Sequence, residues 1–233
     1  MDETEFDKFA EEYQRLHSAN IRISGEGPEY FAEYKVRDAA SILASAGFSV
    51  RNLDVLDFGA GVGNSVPYFR SHLPGCRLTC LDVSKKSLHL GAVRHRGTAE
   101  FVHFDGVVVP FPKDRFDLVF LACVLHHIPQ REHETILAEL HRVLRPEGHL
   151  IVFEHNPYNP LTVHAVNTCP FDENAVLLKP RMLATSIANV GFERAAIAYR
   201  IFFPRALASM RRFEAWIKWL PLGGQYCVHA RKA

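Results

Sequence analysis

The sequence has few of the features that would set it apart from an ordinary globular domain. It has five cysteines, Cys76, Cys80, Cys123, Cys169 and Cys227, and no CxxC pair among them. An odd number without close spacing predicts reduced thiols rather than a disulfide framework or a structural zinc site. Long apolar runs are missing too: the longest, Leu118 to Leu125, falls far short of the roughly 20 residues a helix needs to cross a bilayer. No transmembrane segment is expected. Neither sign of charge is in excess, with 27 Lys and Arg against 26 Asp and Glu and a formal net charge of +1. Binding along nucleic acid needs clustered excess Lys and Arg, so a small-molecule partner fits better than a nucleic acid. Repeats and low-complexity segments are absent. The first residues, Met-Asp-Glu-Thr-Glu-Phe-Asp-Lys, are acidic and polar where an export signal would be basic and then apolar. A cytoplasmic location is the expectation.

What is present is a balance of 48% hydrophobic and 23% charged residues over 233 positions, enough for one domain with a sizeable core. From Leu53 onward, short apolar runs alternate with helical patterns. Leu53–Phe58, Arg77–Leu81, Ala99–His103, Asp117–Leu121 and His149–Glu154 read as strands, with helices between them at about Asn64–His72, Lys85–Arg94 and Arg131–Leu144. Such alternation implies right-handed crossovers and a mostly parallel sheet covered on both faces, a doubly wound α/β fold. Two further strands, Arg194–Phe203 and Gln225–Arg231, flank Pro204–Gly224, where Leu207, Met210, Phe213, Ile217 and Leu220 fall at helical spacing and predict an inserted amphipathic helix. Helical stretches at Asp2–His17 and Pro28–Ala46, rich in Phe and Tyr, read as a cap over the sheet's ligand edge. The expected organisation is a single domain over 1–233: a helical cap to 46, a binding core over 47–155, and pocket loops, inserted helix and last two strands over 156–233.

The most informative stretch is Val55-Leu56-Asp57-Phe58-Gly59-Ala60-Gly61-Val62-Gly63-Asn64, a strand running into closely spaced glycines and then a helix. Side chains are absent where a ligand must approach the backbone, although a tight turn with close helix packing explains such glycines as well. Asn64 stands at the third glycine place of the dinucleotide pattern. Asp57 at the loop entrance would repel a pyrophosphate and welcome an ammonium or sulfonium group. Asp82 ends the second strand close to the interval of about 20 residues at which an acid holds ribose hydroxyls. Asp105-Gly106 follows the third strand, where a simple Asp-Gly turn is the competing explanation. All three acids fall at the carboxyl edge of the sheet, where open α/β folds bind ligands.

With these residues in place, the stretch from about 50 to 156 resembles the class I S-adenosylmethionine-dependent methyltransferases, in the subgroup that includes the ubiquinone and menaquinone methylases. The likeness is carried by Asp57-x-Gly59-x-Gly61-x-Gly63, Asp82, Asp105-Gly106, Phe111-Pro112 with Phe116-Asp117-Leu118-Val119, Val124-Leu125-His126-His127-Ile128, and Leu144-Arg145-Pro146-Glu147-Gly148-His149-Leu150, all in order. It implies a seven-stranded sheet in order 3-2-1-4-5-7-6 with strand 7 antiparallel. It implies S-adenosylmethionine as cofactor and S-adenosylhomocysteine as product. Asp57 with the Gly59, Ala60, Gly61 and Gly63 backbone would hold the methionine part, and Asp82 with Val83 the ribose. Asp105 with Gly106 would meet the adenine amino group, while Leu121 and Ala122 would form the wall beneath the sulfonium.

Methyl transfer chiefly requires donor and acceptor to be aligned and water excluded. A hydroxyl acceptor also needs a proton acceptor, for which histidine suits near neutral pH. His126 and His127 after the fourth strand and His155 after the fifth are the candidates, His127 and His155 foremost; local packing explains adjacent histidines equally. Pairs such as His127 with His133 lack the spacing of a zinc site, so no catalytic metal is expected. Lys35, in the aromatic cap, is a candidate for the cofactor carboxylate or simply a solvated lysine. The Pro204–Gly224 stripe with Arg211, Arg212 and Lys218 suits either core packing or a lipid-like acceptor and peripheral membrane contact. Asn156-Pro157-Tyr158-Asn159-Pro160 and Cys169-Pro170-Phe171-Asp172 are read as acceptor-pocket loops. Two alternatives stay open, an NAD(P)-dependent oxidoreductase and a catalytically silent cofactor-binding regulator. The acceptor and the oligomeric state are not legible.

Overall fold

The computed structural model describes residues 24–233; the helix expected at Asp2–His17 lies outside the described residues. The first described helix, α1 (Pro28–Ser45), starts with proline in its first turn, where a missing N–H costs nothing. Then follow β1 (Asp54–Phe58), α2 (Val66–His72), β2 (Arg77–Asp82), α3 (Lys85–Arg94), β3 (Glu100–His103) and β4 (Phe116–Ala122). After these come α4 (His133–Val143), β5 (Leu144–His155), α5 (Pro160–Asn167), α6 (Pro180–Asn189), β6 (Phe192–Arg200), α7 (Glu214–Ile217) and β7 (Gln225–Lys232).

The seven strands form one sheet in the order β3-β2-β1-β4-β5-β7-β6. β1 pairs in parallel with both β2 and β4, while β7 runs antiparallel to β5 and β6. This is the expected doubly wound topology. The strands bury both faces, and their residues alternate between two cores. Leu56, Val119, Leu121, Leu150 and Val152 face one core with Ile136, Leu137 and Leu140 of α4 and Leu183 and Ile187 of α6. Val55, Leu118, Phe120, Ile151 and Phe153 face the other, with Val36, Ala39 and Leu43 of α1 and Phe69 of α2. Such period-two alternation into two dry layers is the pattern of a sheet sandwiched by helices.

Most strands and helices lie within a few residues of the sequence reading, but α5 and α6 stand where only pocket loops were expected, and two further places differ. β5 begins at Leu144 rather than His149, because Leu144 already pairs with Phe116 across an irregular register. The larger correction concerns Pro204–Gly224. It is not one amphipathic helix: residues Arg205–Phe213 form 3-10 turns interrupted at Leu207, and only the four residues of α7 are α-helical. Its apolar residues do not pack into the core either. Leu207 and Met210 are exposed, Trp216 and Trp219 are 73% and 70% exposed, and Phe213, Ile217 and Leu220 are half-buried. β6 stops short of the predicted Phe203 because Ile201 takes a left-handed φ of 61° and turns the chain out of the sheet. Arg211 ties the segment to α1, pairing with Glu26 at 2.8 Å and lying over the Tyr30 ring.

Candidate active site

β1 neighbours both β2 and β4, so the strand order reverses beside β1, and the crevice at the carboxyl ends of these strands is the natural ligand site of such a sheet. A cavity opens there. Asp57, Gly59, Ala60, Gly61 and Asn64 from β1 and its loop line it, together with Asp82 and Val83 after β2 and Ala122, Cys123 and Val124 after β4. His126, His127, His155, Cys169, Asp172 and Gln225 close its other end. Phe31, Ala32 and Lys35 of α1 cover it, while the opposite side of the same helix packs on the sheet.

The glycine loop has a physical reason for its composition. Gly59 has a φ of 74°, and a Cβ there would meet Val124 side-chain carbons at 2.5 and 2.6 Å. Gly61 has a φ of 53°, but a Cβ there would meet nothing within 4 Å; it would stand in open space beside the loop. Gly61 N–H donates to Asp82 Oδ2 at 2.8 Å, and Ser84 N–H donates to Oδ1 at 2.9 Å, so the acid at the end of β2 holds the loop after β1. Burial, together with the nearby Asp82 carboxylate, pushes the Asp57 carboxyl up to about 7. Among the described residues no cation offsets the Asp57 charge; only burial and Asp82 act on it. A buried carboxyl of this kind fits a cationic ligand group, which would supply the missing charge.

At the other end of the cavity, the chain leaves β4 through Cys123, a non-glycine residue in the left-handed region with φ 61°. That turn aims two amides at one carboxylate: Val124 and Leu125 N–H donate to Glu154 Oε1 at 3.1 and 2.8 Å. The other oxygen, Oε2, lies 2.6 Å from His126 Nδ1. Glu154 is wholly buried in β5. Burial alone would raise its carboxyl, but the His126 charge and these hydrogen bonds outweigh burial and hold it below its ordinary value. For His126 burial acts downward, and the Glu154 carboxylate and Asp172 reverse it, so its imidazole is held well above the ordinary range. Its Nε2 lies 3.7 Å from Asp172 Oδ1, and His127 Nε2 lies 3.4 Å from the same oxygen. The His155 ring sits 5.2 Å from that of His126. Burial and the His126 charge push His127 down to about 3 and His155 down to about 4, so both rings are neutral at pH 7.

Most of the residues singled out from sequence therefore share one cavity. Asp105, Gly106 and Leu121 do not line it. The Asp105 carboxylate accepts from Val107 and Val108 N–H at 2.9 and 3.1 Å in a turn, and Leu121 is wholly buried in the sheet. Gly63 packs against His95 and Phe101 rather than facing the cavity. The sequence reading missed Glu154 and Gln225. The available signal for Glu154 was an acid at the end of an apolar strand, Leu150-Ile151-Val152-Phe153-Glu154. Gln225 begins β7, accepts a hydrogen bond from the buried Tyr34 hydroxyl and has its Nε2 3.8 Å from Cys123 Sγ; nothing local marks it.

Fold and cavity together define a class. Residues 56–152 match the model of the methyltransferase domain family, and the strand order is the one that the resemblance to class I S-adenosylmethionine-dependent methyltransferases implies. Among curated relatives, the ubiquinone/menaquinone biosynthesis C-methyltransferase UbiE of Ectopseudomonas mendocina is 32% identical over 50% of this chain and 48% of its own length. The demethylmenaquinone methyltransferase of Thermus thermophilus is 30% identical over 44% of this chain and 47% of its own. The chain thus spans about half the length of the curated relatives it matches. A solved SAM-dependent methyltransferase of Thermotoga maritima, described as a possible histamine N-methyltransferase, superposes with a TM-score of 0.69 over 99% of both chains at 16% identity. At that identity the likeness speaks for the fold alone.

Proposed function

We propose that this protein transfers the methyl group of S-adenosylmethionine to a small-molecule acceptor bearing a hydroxyl on a lipid-like or quinone-like framework. The observation that carries the cofactor half is the pair Asp57 and Asp82 at adjacent strand ends, one buried without a cationic partner among the described residues and one holding the glycine loop. Asp57 and the Gly59–Gly61 backbone hold the cationic methionine part, Asp82 and Val83 the ribose, and Ala122 the wall nearest the sulfur. Lys35, buried in the cavity cover, meets the cofactor carboxylate. When bound, the cofactor supplies a methyl group on a positively charged sulfur.

His155 and His127 are the proton acceptors of this reading, because both are neutral, line the cavity and sit beside the fixed His126–Glu154 pair. Removing the proton of a ring hydroxyl makes both its oxygen and the adjacent ring carbon nucleophilic, so one base serves either outcome. The quinone methylases among the relatives support a ring-bearing acceptor. The exposed Trp216 and Trp219, flanked by Arg212 and Lys218, support a lipid-like tail and peripheral contact with a membrane surface. A glycan hydroxyl is the competing acceptor. The test is calorimetric titration with S-adenosylmethionine, S-adenosylhomocysteine and NADPH, followed by a mass-spectrometric screen of hydroxylated isoprenoid-quinol precursors and glycolipids. Micromolar binding of the adenosyl ligands alone and a gain of one methyl group in a quinol precursor is the expected result. Preference for the nicotinamide, or binding of the adenosyl ligand without turnover on any acceptor class, would return the protein to an oxidoreductase or a silent binder.

A further inference from the structure

One end of the cavity brings together three ligand-type side chains from two separate turns. His126 and His127 lie on a 3-10 turn after β4, and Asp172 on another 3-10 turn after α5. One ligand atom from each lies within 4.8 Å of the others. The two separations to Asp172 Oδ1, 3.4 and 3.7 Å, exceed the roughly 2.7–2.9 Å of a charge-assisted hydrogen bond. They lie near the edges of a coordination polyhedron instead: ligands about 2.0–2.2 Å from one tetrahedral ion stand about 3.3–3.6 Å apart, which the 3.4 Å separation meets and the 3.7 Å one slightly exceeds.

The orientation of His126 points the same way. Glu154 occupies its Nδ1, so Nε2 is the nitrogen presented towards Asp172, and an ion bound there displaces the Nε2 proton to solvent. A carboxylate behind a histidine in this manner fixes the ring and its tautomer in metal sites. The Glu154 carboxylate is itself held by the Val124 and Leu125 amides, which leaves the ring little freedom. Two imidazoles and one carboxylate, with the remaining positions turned to the cavity, suit a divalent transition ion such as Zn²⁺, Fe²⁺, Mn²⁺ or Co²⁺, and not the all-oxygen cage that Ca²⁺ takes.

We propose that His126, His127 and Asp172 form a binding site for one divalent transition-metal ion at the acceptor end of the cavity, with Glu154 as its positioning residue. Ion binding stands on the geometry alone. Its use, holding an oxygen of the acceptor while His155 remains as the proton acceptor, rests on the methyltransferase reading above. The sequence argued against a metal because it offered only histidine pairs with unsuitable spacing; the third ligand comes from a different turn.

The experiment uses the untagged full chain stripped with a chelator. Co²⁺ and Zn²⁺ are titrated separately, with bound metal measured by mass spectrometry and the Co²⁺ d–d absorption recorded. S-adenosylhomocysteine binding is measured on every sample as an independent check of the fold and of the cofactor pocket. One ion per chain is expected, bound at least 100-fold more weakly in Asp172→Ala and in His127→Ala, and about 10- to 100-fold more weakly in Glu154→Gln. The Co²⁺ absorption should be lost in the first two variants while S-adenosylhomocysteine binding persists. Substoichiometric metal in the wild-type chain, or equal affinity in Asp172→Ala and His127→Ala, overturns the site. Metal binding without adenosyl binding would sink the methyltransferase reading and leave the metal site standing; the opposite pattern does the reverse.

Discussion

The Gly61 amide donates to the Asp82 carboxylate at 2.8 Å, so the acid at the end of β2 orders the loop that leaves β1. One side chain thereby links the two halves of the cofactor pocket. Replacing it removes a ligand contact and releases the loop together. Asp82→Ala should weaken S-adenosylhomocysteine binding by tenfold or more in a calorimetric titration. It should also destabilise the unliganded protein by about 1–3 kcal/mol in urea unfolding, since the Gly61 and Ser84 amides lose their acceptor. A variant that loses affinity with unchanged stability would mean that the loop does not depend on Asp82.

Gly59 and Gly61 separate packing from ligand access. Gly59→Ala forces a Cβ into Val124 and also strains a left-handed backbone, so it should lower stability by roughly 2–5 kcal/mol. Gly61→Ala meets nothing in the protein, so its stability cost should stay near the roughly 1–2 kcal/mol of left-handed backbone strain. Its adenosyl affinity should nevertheless fall, because the new methyl stands in open space at the loop. Thermal melts and titrations on both variants, side by side, decide this; equal loss of stability would remove the distinction.

Asp57 predicts pH-dependent cofactor binding. Its carboxyl is raised to about 7, first by burial and then by Asp82, so the unliganded protein holds a proton there between about pH 4 and 7. The stability this proton contributes is full below about pH 4 and is lost as pH rises through 7. Binding a cationic ligand favours the ionised form, so the affinity for S-adenosylmethionine should rise about tenfold from pH 6 to 8 and then level off. Asp57→Asn should bind weakly with a flat profile. A wild-type affinity independent of pH over that range would mean that Asp57 does not meet the positive charge.

Far from the cavity, Asp54 at the start of β1 is buried and takes Arg77 at 2.6 Å, Arg115 at 2.8 Å and Arg145 at 2.9 Å. The Arg77 hydrogen bonds, opposed by burial and helped by Arg115 and Arg145, hold its carboxyl well below the usual carboxylate range. The stability it contributes is present above about pH 4 and lost as pH falls below that value. Asp54→Asn should therefore melt at a lower temperature than the wild type at pH 7, and the gap should narrow at pH 3. A gap of equal size at both pH values would show that shape, not charge, matters there.

The two tryptophans of the chain, Trp216 and Trp219, both lie on the exposed turn after β6, so intrinsic tryptophan fluorescence reports on that segment alone. Vesicles containing anionic lipid should shift the emission to the blue, and Arg212→Glu together with Lys218→Glu should weaken the shift. An emission unchanged by vesicles would leave the acceptor to arrive from solution.

The sheet was legible because its signals are local. Leu118, Val119, Phe120 and Leu121 alternate between the two cores, and the helix spacing of Ile136, Leu137 and Leu140 repeats on one face. The turn after β6 departs from the expectation for the same reason: the apolar spacing of Leu207, Met210 and Phe213 is helical, yet no surface among the described residues covers Leu207 and Met210.

By itself the sequence determined the strand and helix order, the glycine loop, and the placement of Asp57 and Asp82 at strand ends, since each follows from periodicity or from spacing within one βα unit. Only the tertiary structure decided which side chains meet at the histidine end of the cavity. β4 and β5 lie side by side, which places Glu154 behind His126, and the turn at Pro170–Asp172 returns Asp172 to the two histidines. It also decided that Asp105 caps its own turn while Asp57 remains buried beside the cavity without a cationic partner among the described residues. Distances between residues far apart in the chain depend on sheet order and crossover geometry, and no local pattern encodes them.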